Sequence, residues 1–227
     1  MNDNPLIIAL DVESAGQARA IVRKLTHHVR FFKVGLELFT AAGPELVNEF
    51  VAEGNQVFLD LKLYDIGQTV TRAVAQVARM GARFLTVHAV PQVMLAAMQG
   101  RTGSELHILG VTVLTSFDNA DLLADGYEKS VDDLVQLRVR NAVAAGVAGI
   151  VCSPLEVAAV RNITGPDMVL VTPGVRSAGA DPGDQKRIAT PRQAMAEGAS
   201  YLVIGRQVTN SPDPGGEVKK ILEEIAG

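Results

Sequence analysis

Eight short, nearly unbroken apolar runs recur along the 227 residues, separated by longer amphipathic stretches. The runs lie at 6–11, 31–35, 56–63, 83–88, 106–114, 149–152, 168–172 and 201–205, with cores such as LIIAL, FFKVG, VFLDLKL and YLVIG. Continuous apolarity, in place of strict alternation, is what a parallel strand covered on both faces requires. The stretches between them, at 15–25, 45–52, 70–80 and 131–145 among others, carry helical periodicity. Several end at a glycine (Gly54, Gly81, Gly146, Gly198), the usual signal of a helix C-terminus. Eight strand–helix repeats in a chain of this length imply an α/β fold, a (β/α)8 TIM barrel filling residues 1–227 as one domain. The rival is a doubly wound open sheet, which wants a glycine-rich GxGxxG turn after its first strand. Residues 9–13 read Ala-Leu-Asp-Val-Glu instead. The longest irregular stretch is 174–191, rich in Gly, Pro, Asp and Arg, a length that in a compact domain is usually functional or mobile.

In such a barrel the C-terminal strand ends build the site, so charged residues there matter most. Asp11 ends the first run, Lys33 lies just before Gly35, and the third run carries Asp60 and Lys62, with Asp65 in the loop behind them. Residues 60 and 62 share one face of a strand. If that face points inward, Asp11, Lys33, Asp60 and Lys62 converge from three neighbouring strand ends. A salt-bridge plug or solvated strand ends would account for any one of them. The whole array is harder to explain that way, because buried ions cost several kcal/mol each unless all are paired, and perturbed acid–base groups cluster at reaction sites. A lysine flanked by Asp60 and Asp65 should remain protonated, which makes Lys62 a poor Schiff-base nucleophile and a good proton donor. Asp60 is placed to press its charge against a substrate carboxylate, an arrangement that favours loss of CO2 and protonation of the carbanion left behind.

Other chemistries find less support. The net charge of −4 and an aromatic content of 4% without Trp argue against nucleic-acid polymers and anionic membranes as partners. Cys152 is the sole cysteine, so no intrachain disulfide can form. The four histidines (His27, His28, His88, His107) show no metal-ligand spacing, and lysines interleaved with Asp60 and Asp65 would repel Mg2+, so no metal is expected. His88, at the end of the fourth run, could line the site, although a structural role explains it better. No apolar run reaches the ~18 residues of a membrane helix, and the opening MNDNPLIIALD lacks a basic leader, so a soluble cytoplasmic protein is expected.

The string Asp60-Leu61-Lys62-Leu63-Tyr64-Asp65-Ile66 fits D-x-K-x-x-D-I and, with Lys33-Val34-Gly35 upstream, resembles the orotidine 5′-phosphate decarboxylase family. The similarity continues in order through Ala9-Leu10-Asp11, Val113-Leu114-Thr115-Ser116, Thr172-Pro173-Gly174-Val175-Arg176, Gly183-Asp184-Gln185 and Ile204-Gly205-Arg206. The resemblance implies cofactor-free conversion of orotidine 5′-phosphate to UMP and CO2 by a homodimer with shared active sites. It implies Lys62 as proton donor to C6 of the pyrimidine, Asp60 facing the departing carboxylate, and Lys33 supporting Asp60 and the ribose. Asp11 would hold a ribose hydroxyl, Asp65, Ile66 and Thr69 would reach the neighbouring subunit's site, and Thr115 would meet the pyrimidine, with Ser116 close by. Gln185, Gly205 and Arg206 match phosphate binders, while Pro173 and Arg176 belong to the loop that closes over the ligand. General physics agrees for the phosphate, because barrels commonly bind it after strands seven and eight at a short helix N-terminus.

Many relatives carry His where this chain has Tyr64 and Pro-Asn where it has Gly67-Gln68, departures that flank the array and replace none of its charges. Similar enzymes of the wider suprafamily, 3-keto-gulonate-6-phosphate decarboxylase and hexulose-phosphate synthase, share D-x-K-x-x-D but use Mg2+ and carry an acidic ligand in place of Lys33. A catalytically silent nucleotide-binding barrel is the alternative from another class, and it has no need of a buried proton donor.

Overall fold

Strands β1 (Leu6–Ala9), β2 (Phe31–Gly35), β3 (Gln56–Leu63), β4 (Phe84–His88), β5 (His107–Val111), β6 (Gly149–Val151), β7 (Val169–Thr172) and β8 (Tyr201–Ile204) pair in parallel in chain order, and β8 closes on β1. This is the expected (β/α)8 barrel, seen in a computed structural model that describes residues 4–178 and 189–227. Around it run α1 (Ala15–Leu25), α2 (Leu36–Ala52), α3 (Gly67–Arg79), α4 (Pro91–Gly100), α5 (Asn119–Ala124), α6 (Val131–Ala145), α7 (Val157–Thr164), α8 (Pro191–Ala196), α9 (Arg206–Thr209) and α10 (Pro214–Ala226).

Local chemistry sets the helix limits. The hydroxyls of Ser14 and Ser130 accept backbone N–H bonds from Gln17 and Asp133 and cap α1 and α6. Gly146 ends α6 in the left-handed region at φ 70°. Three elements differ from the sequence reading. β1 stops at Ala9 and β5 at Val111, short of 11 and 114, because the pairing of β1 with β2 ends at Ala9–Lys33 and that of β5 with β6 at Val111–Val151. The second helix begins directly after β2, at Leu36, well before residue 45. Its backbone leaves the helical region at Gly43 (φ 70°, ψ −173°), so the Gly-Pro pair separates an extra segment starting at Leu36 from a second one opening at Pro44, the stretch expected at 45–52.

Two apolar layers follow from the strand period. Leu6, Ile8, Phe32, Leu59, Leu85 and Ile108 face outward to the helices, and the alternate residues fill the barrel. The scarce aromatics concentrate at the bottom of that interior. Phe31, Phe84 and Tyr201 pack with ring centroids 5.1–5.6 Å apart, and Phe58 meets Phe84 at 6.0 Å. Two residues further along the same faces come Lys33, Asp60, Thr86 and Val203. The charged layer thus stands directly above an apolar floor.

The β3–β4 ladder is irregular at that level. Phe58 pairs with Phe84 and Leu59 with Leu85, but the next pair is Leu63 with Val87, so β3 holds two more residues than its partner over the interval. Lys62 lies within this bulge at φ 47°, the one non-glycine residue with positive φ among the described residues. Bulges of this kind re-aim side chains and are frequent beside active sites.

Candidate active site

The four charged residues read from the strand ends form one connected row. Lys33 Nζ donates to Asp11 Oδ1 at 2.8 Å and faces Asp60 Oδ2 at 3.7 Å, while Lys62 Nζ donates to Asp60 Oδ1 at 2.8 Å. Acid and base alternate along it: Asp11, Lys33, Asp60, Lys62. Asp11 is the outermost, two residues beyond the end of β1, with its side chain 56% exposed against 14% for Asp60 and 11% for Lys33. Gly35 leaves room beside the row, since a Cβ there would fall 3.1 Å from Lys33 Nζ and 3.3 Å from Asp11 Oδ1. Thr86, fully buried on β4, joins β3 to β4 by donating its hydroxyl to Asp60 Oδ1 at 2.9 Å and accepting from the Lys62 N–H at 2.9 Å.

Burial acts to raise the pKa of Asp60, but the charges of Lys33 and Lys62 and the hydrogen bonds from Lys62 and Thr86 outweigh it and hold the carboxyl below its ordinary value. Asp60 is therefore an anion at neutral pH, oriented by two donors on one oxygen. A depressed folded-state pKa contributes stability above the unfolded value and loses it as pH falls through the folded one. Chemical denaturation of wild type and Asp60→Asn should accordingly show a stability difference that moves against wild type as pH drops below 3.8. A difference that stays flat in that range would mean that Asp60 is not held charged.

These residues open onto a cavity of about 300 Å³ at the C-terminal mouth, a size suited to a small ligand. Its apolar side comes from Ala9, Val111, Val151 and Val203, the inward positions above the aromatic floor. Thr115 and Ser116 line it from the β5 loop, Pro173 and Arg176 from the β7 loop, and Gly205 and Arg206 from the end of β8 and the start of α9. Lys33 and Lys62 are matched by Asp11 and Asp60, so Arg176 and Arg206 make the cavity lining cationic on balance in a protein of negative net charge. The stem of the β7 loop is tied to α9 through Gln207, whose amide oxygen accepts from the Ser177 N–H at 3.1 Å and whose nitrogen donates to Ser177 Oγ at 2.9 Å.

Not every expected residue reaches this cavity. Asp65, Ile66 and Thr69 are exposed at the entry to α3, outside the cavity wall. Asp65 Oδ1 accepts the Ile66 N–H at 2.6 Å and makes no ion pair among the described residues, so Lys62 is held by Asp60 alone and not between two aspartates. Gln185, with Gly183 and Asp184, lies outside the described residues. His88 lines a separate cavity of about 200 Å³, with Tyr64 against its ring at 5.5 Å. Burial and the charges of Arg138 and Lys62 push its pKa below the ordinary value and keep it neutral at pH 7. Thr86 and Gln207 escaped the sequence reading. A threonine inside FLTVH is an ordinary strand residue, and only its shared parity with Phe84 and His88 marks it as inward-facing. Among the described residues, no three His, Cys, Asp or Glu side chains group as a metal site would need, and no helix is long and apolar enough to cross a membrane.

An ionised acid–base row at the C-terminal strand ends of a closed parallel barrel, facing a partly cationic pocket, defines a barrel enzyme of the acid–base kind. Comparison with known proteins narrows the class. Residues 4–221 match the model of the orotidine 5′-phosphate decarboxylase / HUMPS family, and the chain belongs to that family. An orotidine 5′-phosphate decarboxylase of Rhodopseudomonas palustris (strain BisB5) is 54% identical over 221 residues, covering 97% of this chain and 94% of the relative. One from Bradyrhizobium sp. (strain BTAi1) is 51% identical over 221 residues, covering 97% and 91%. The crystal structure of orotidine 5′-phosphate decarboxylase from Lactobacillus acidophilus superimposes with a TM-score of 0.87 at 34% identity, covering 99% of this chain and all of that one.

Proposed function

We propose that this protein decarboxylates orotidine 5′-phosphate to UMP and CO2, the decarboxylation of pyrimidine biosynthesis, without a cofactor. The observation that carries the reading is the unbroken Asp11–Lys33–Asp60–Lys62 row on the cavity wall. With the pyrimidine above the apolar floor, Asp60 faces the substrate carboxylate, and the repulsion between two anions is relieved as the C6–CO2 bond breaks. The electron pair stays on C6, where the Lys62 ammonium stabilises it and then delivers a proton, giving UMP and a neutral amine that recovers its proton from water. Thr115, with Ser116 near it, contacts the ring, and Asp11 and Lys33 hold the ribose. Arg206 supplies a forked donor to the phosphate and Gly205 lets the backbone approach it. Arg176, Pro173 and Gln185 act from the β7 loop.

The same reading makes the protein a cytoplasmic homodimer in which Asp65, Ile66 and Thr69 serve the partner's cavity. It is supported by Tyr64 and Ile66, which leave apolar side chains 67% and 77% exposed on either side of Asp65, a surface a second copy would cover. Lys33 favours the decarboxylase over the Mg2+-dependent members of the suprafamily. Purified protein should consume orotidine 5′-phosphate, followed by loss of orotate absorbance, at an undiminished rate in excess EDTA. Activity abolished by chelation and restored by Mg2+ would reject the reading.

A further inference from the structure

The hydroxyl of Thr86 sits where β3 slips against β4, and its polarity is fixed by its two partners. The Lys62 N–H can only donate, so Oγ1 accepts it at 2.9 Å, and the hydroxyl proton is left to point at Asp60 Oδ1, also at 2.9 Å. That same carboxylate oxygen takes the Lys62 ammonium at 2.8 Å. One side chain therefore closes a ring that runs from the Lys62 backbone through Thr86 and Asp60 to the Lys62 side chain. The ring is set inside a bulge where Lys62 holds a left-handed backbone, a conformation strained for a non-glycine residue that persists only when its surroundings enforce it. No β4 residue is in register with Lys62, so the Thr86 hydroxyl takes over the work of a ladder partner.

We infer that Thr86 is a positioning residue for the reaction, holding the Lys62 bulge against Asp60 so that the proton donor and the carboxylate keep one fixed geometry. The inference rests on the decarboxylase reading above. A plain packing role does not need the hydroxyl. Valine would fill the same fully buried volume on a strand, yet it would leave the Lys62 N–H unpaired and Asp60 Oδ1 with one donor fewer. The asymmetry of Asp60 follows from the same ring: Oδ1 is held by two donors, while among the described residues Oδ2 faces only Lys33, at 3.7 Å, and is the oxygen turned to meet a substrate group. The charged and titratable groups around this carboxylate are Lys33 on β2, Lys62 on its own strand and Asp11 beyond Lys33. His88 stands one inward position past Thr86 on β4, and Arg176 and Arg206 share the cavity.

The test compares Thr86→Val with Thr86→Ser. Removing the hydroxyl should lower kcat by about 10²-fold, as small misplacements of reacting groups do, with a much smaller change in KM. Thr86→Ser should recover most of the lost turnover. A readout independent of activity is the pH titration of the Asp60 carboxyl carbon by 13C NMR, which should shift upward in Thr86→Val and stay close to wild type in Thr86→Ser. If the valine variant does not fold, Thr86→Ala supplies both measurements. An unchanged Asp60 titration together with undiminished kcat overturns the positioning role. A wild-type protein that does not turn over orotidine 5′-phosphate, yet shows the Asp60 shift on loss of the hydroxyl, would instead reject the decarboxylase reading and keep the structural link.

Discussion

Replacing Lys62 with alanine is expected to reduce turnover of orotidine 5′-phosphate by ~10²–10⁴ for loss of the general acid, and by more because the same ammonium stabilises the carbanion. The larger figure follows from the geometry. Among the described residues Lys62 Nζ is the only cation within 3 Å of Asp60, and alanine would leave the buried Asp60 carboxylate facing Lys33 at 3.7 Å as its nearest positive partner there. Transition-state charge stabilisation and proton delivery would vanish together. Product binding should survive much better, since Thr115, Gly205 and Arg206 stand elsewhere on the cavity wall. Steady-state kinetics with calorimetric UMP binding separates the two effects, and near wild-type turnover would end the proton-donor assignment. Borohydride added during turnover should trap no adduct on Lys62, because an amine held as an ion pair is a poor nucleophile; a reduced covalent adduct would point to Schiff-base chemistry.

The barrel was legible because each repeat carries its own signature, an apolar run followed by a helix ending in glycine. Strand and helix limits were harder to read. Gly43-Pro44 is a boundary, with a non-helical Gly43 and Pro44 opening the segment that follows; what the sequence pattern missed is the additional helical segment from Leu36 that precedes it. α4 shows little amphipathic contrast because Val93, Met94, Ala96 and Ala97 are all buried against neighbouring elements. Tertiary packing, not local pattern, defines such a helix.

The site divides along the same line. Asp60 and Lys62 were readable as neighbours because strand parity places positions two apart on one face, and the ion pair at 2.8 Å bears this out. Parity also implies a regular strand, which Lys62 does not occupy. The bulge depends on how β4 aligns with β3, a relation between segments 24 residues apart that no local pattern contains. Thr86 was invisible for the same reason. The reading of Asp65 as a flank of Lys62 failed on a short-range competitor: its carboxylate turns back onto the Ile66 N–H at the entry to α3, as aspartates beside helix starts commonly do.

That turned-away Asp65 supports the second large effect. If two copies share sites across a two-fold axis, Asp65 of each serves the other's cavity, and Lys62→Ala and Asp65→Ala disable each site from different chains. Each homodimeric variant then has two dead sites. In a heterodimer one site collects both substitutions, and the other receives intact Lys62 from one chain and intact Asp65 from the other. Random reassortment of equal amounts gives about half mixed dimers, each with one working site of two, so about a quarter of wild-type activity should return. The measurement is activity after mixing, beside a mass-tagged control that reports subunit exchange. Exchange without recovery would mean that Asp65 acts within its own chain. The exposed position of its side chain would then require α3 to swing inward on substrate binding, and Gly67 and Thr69, at the start of that helix, would have to move with it.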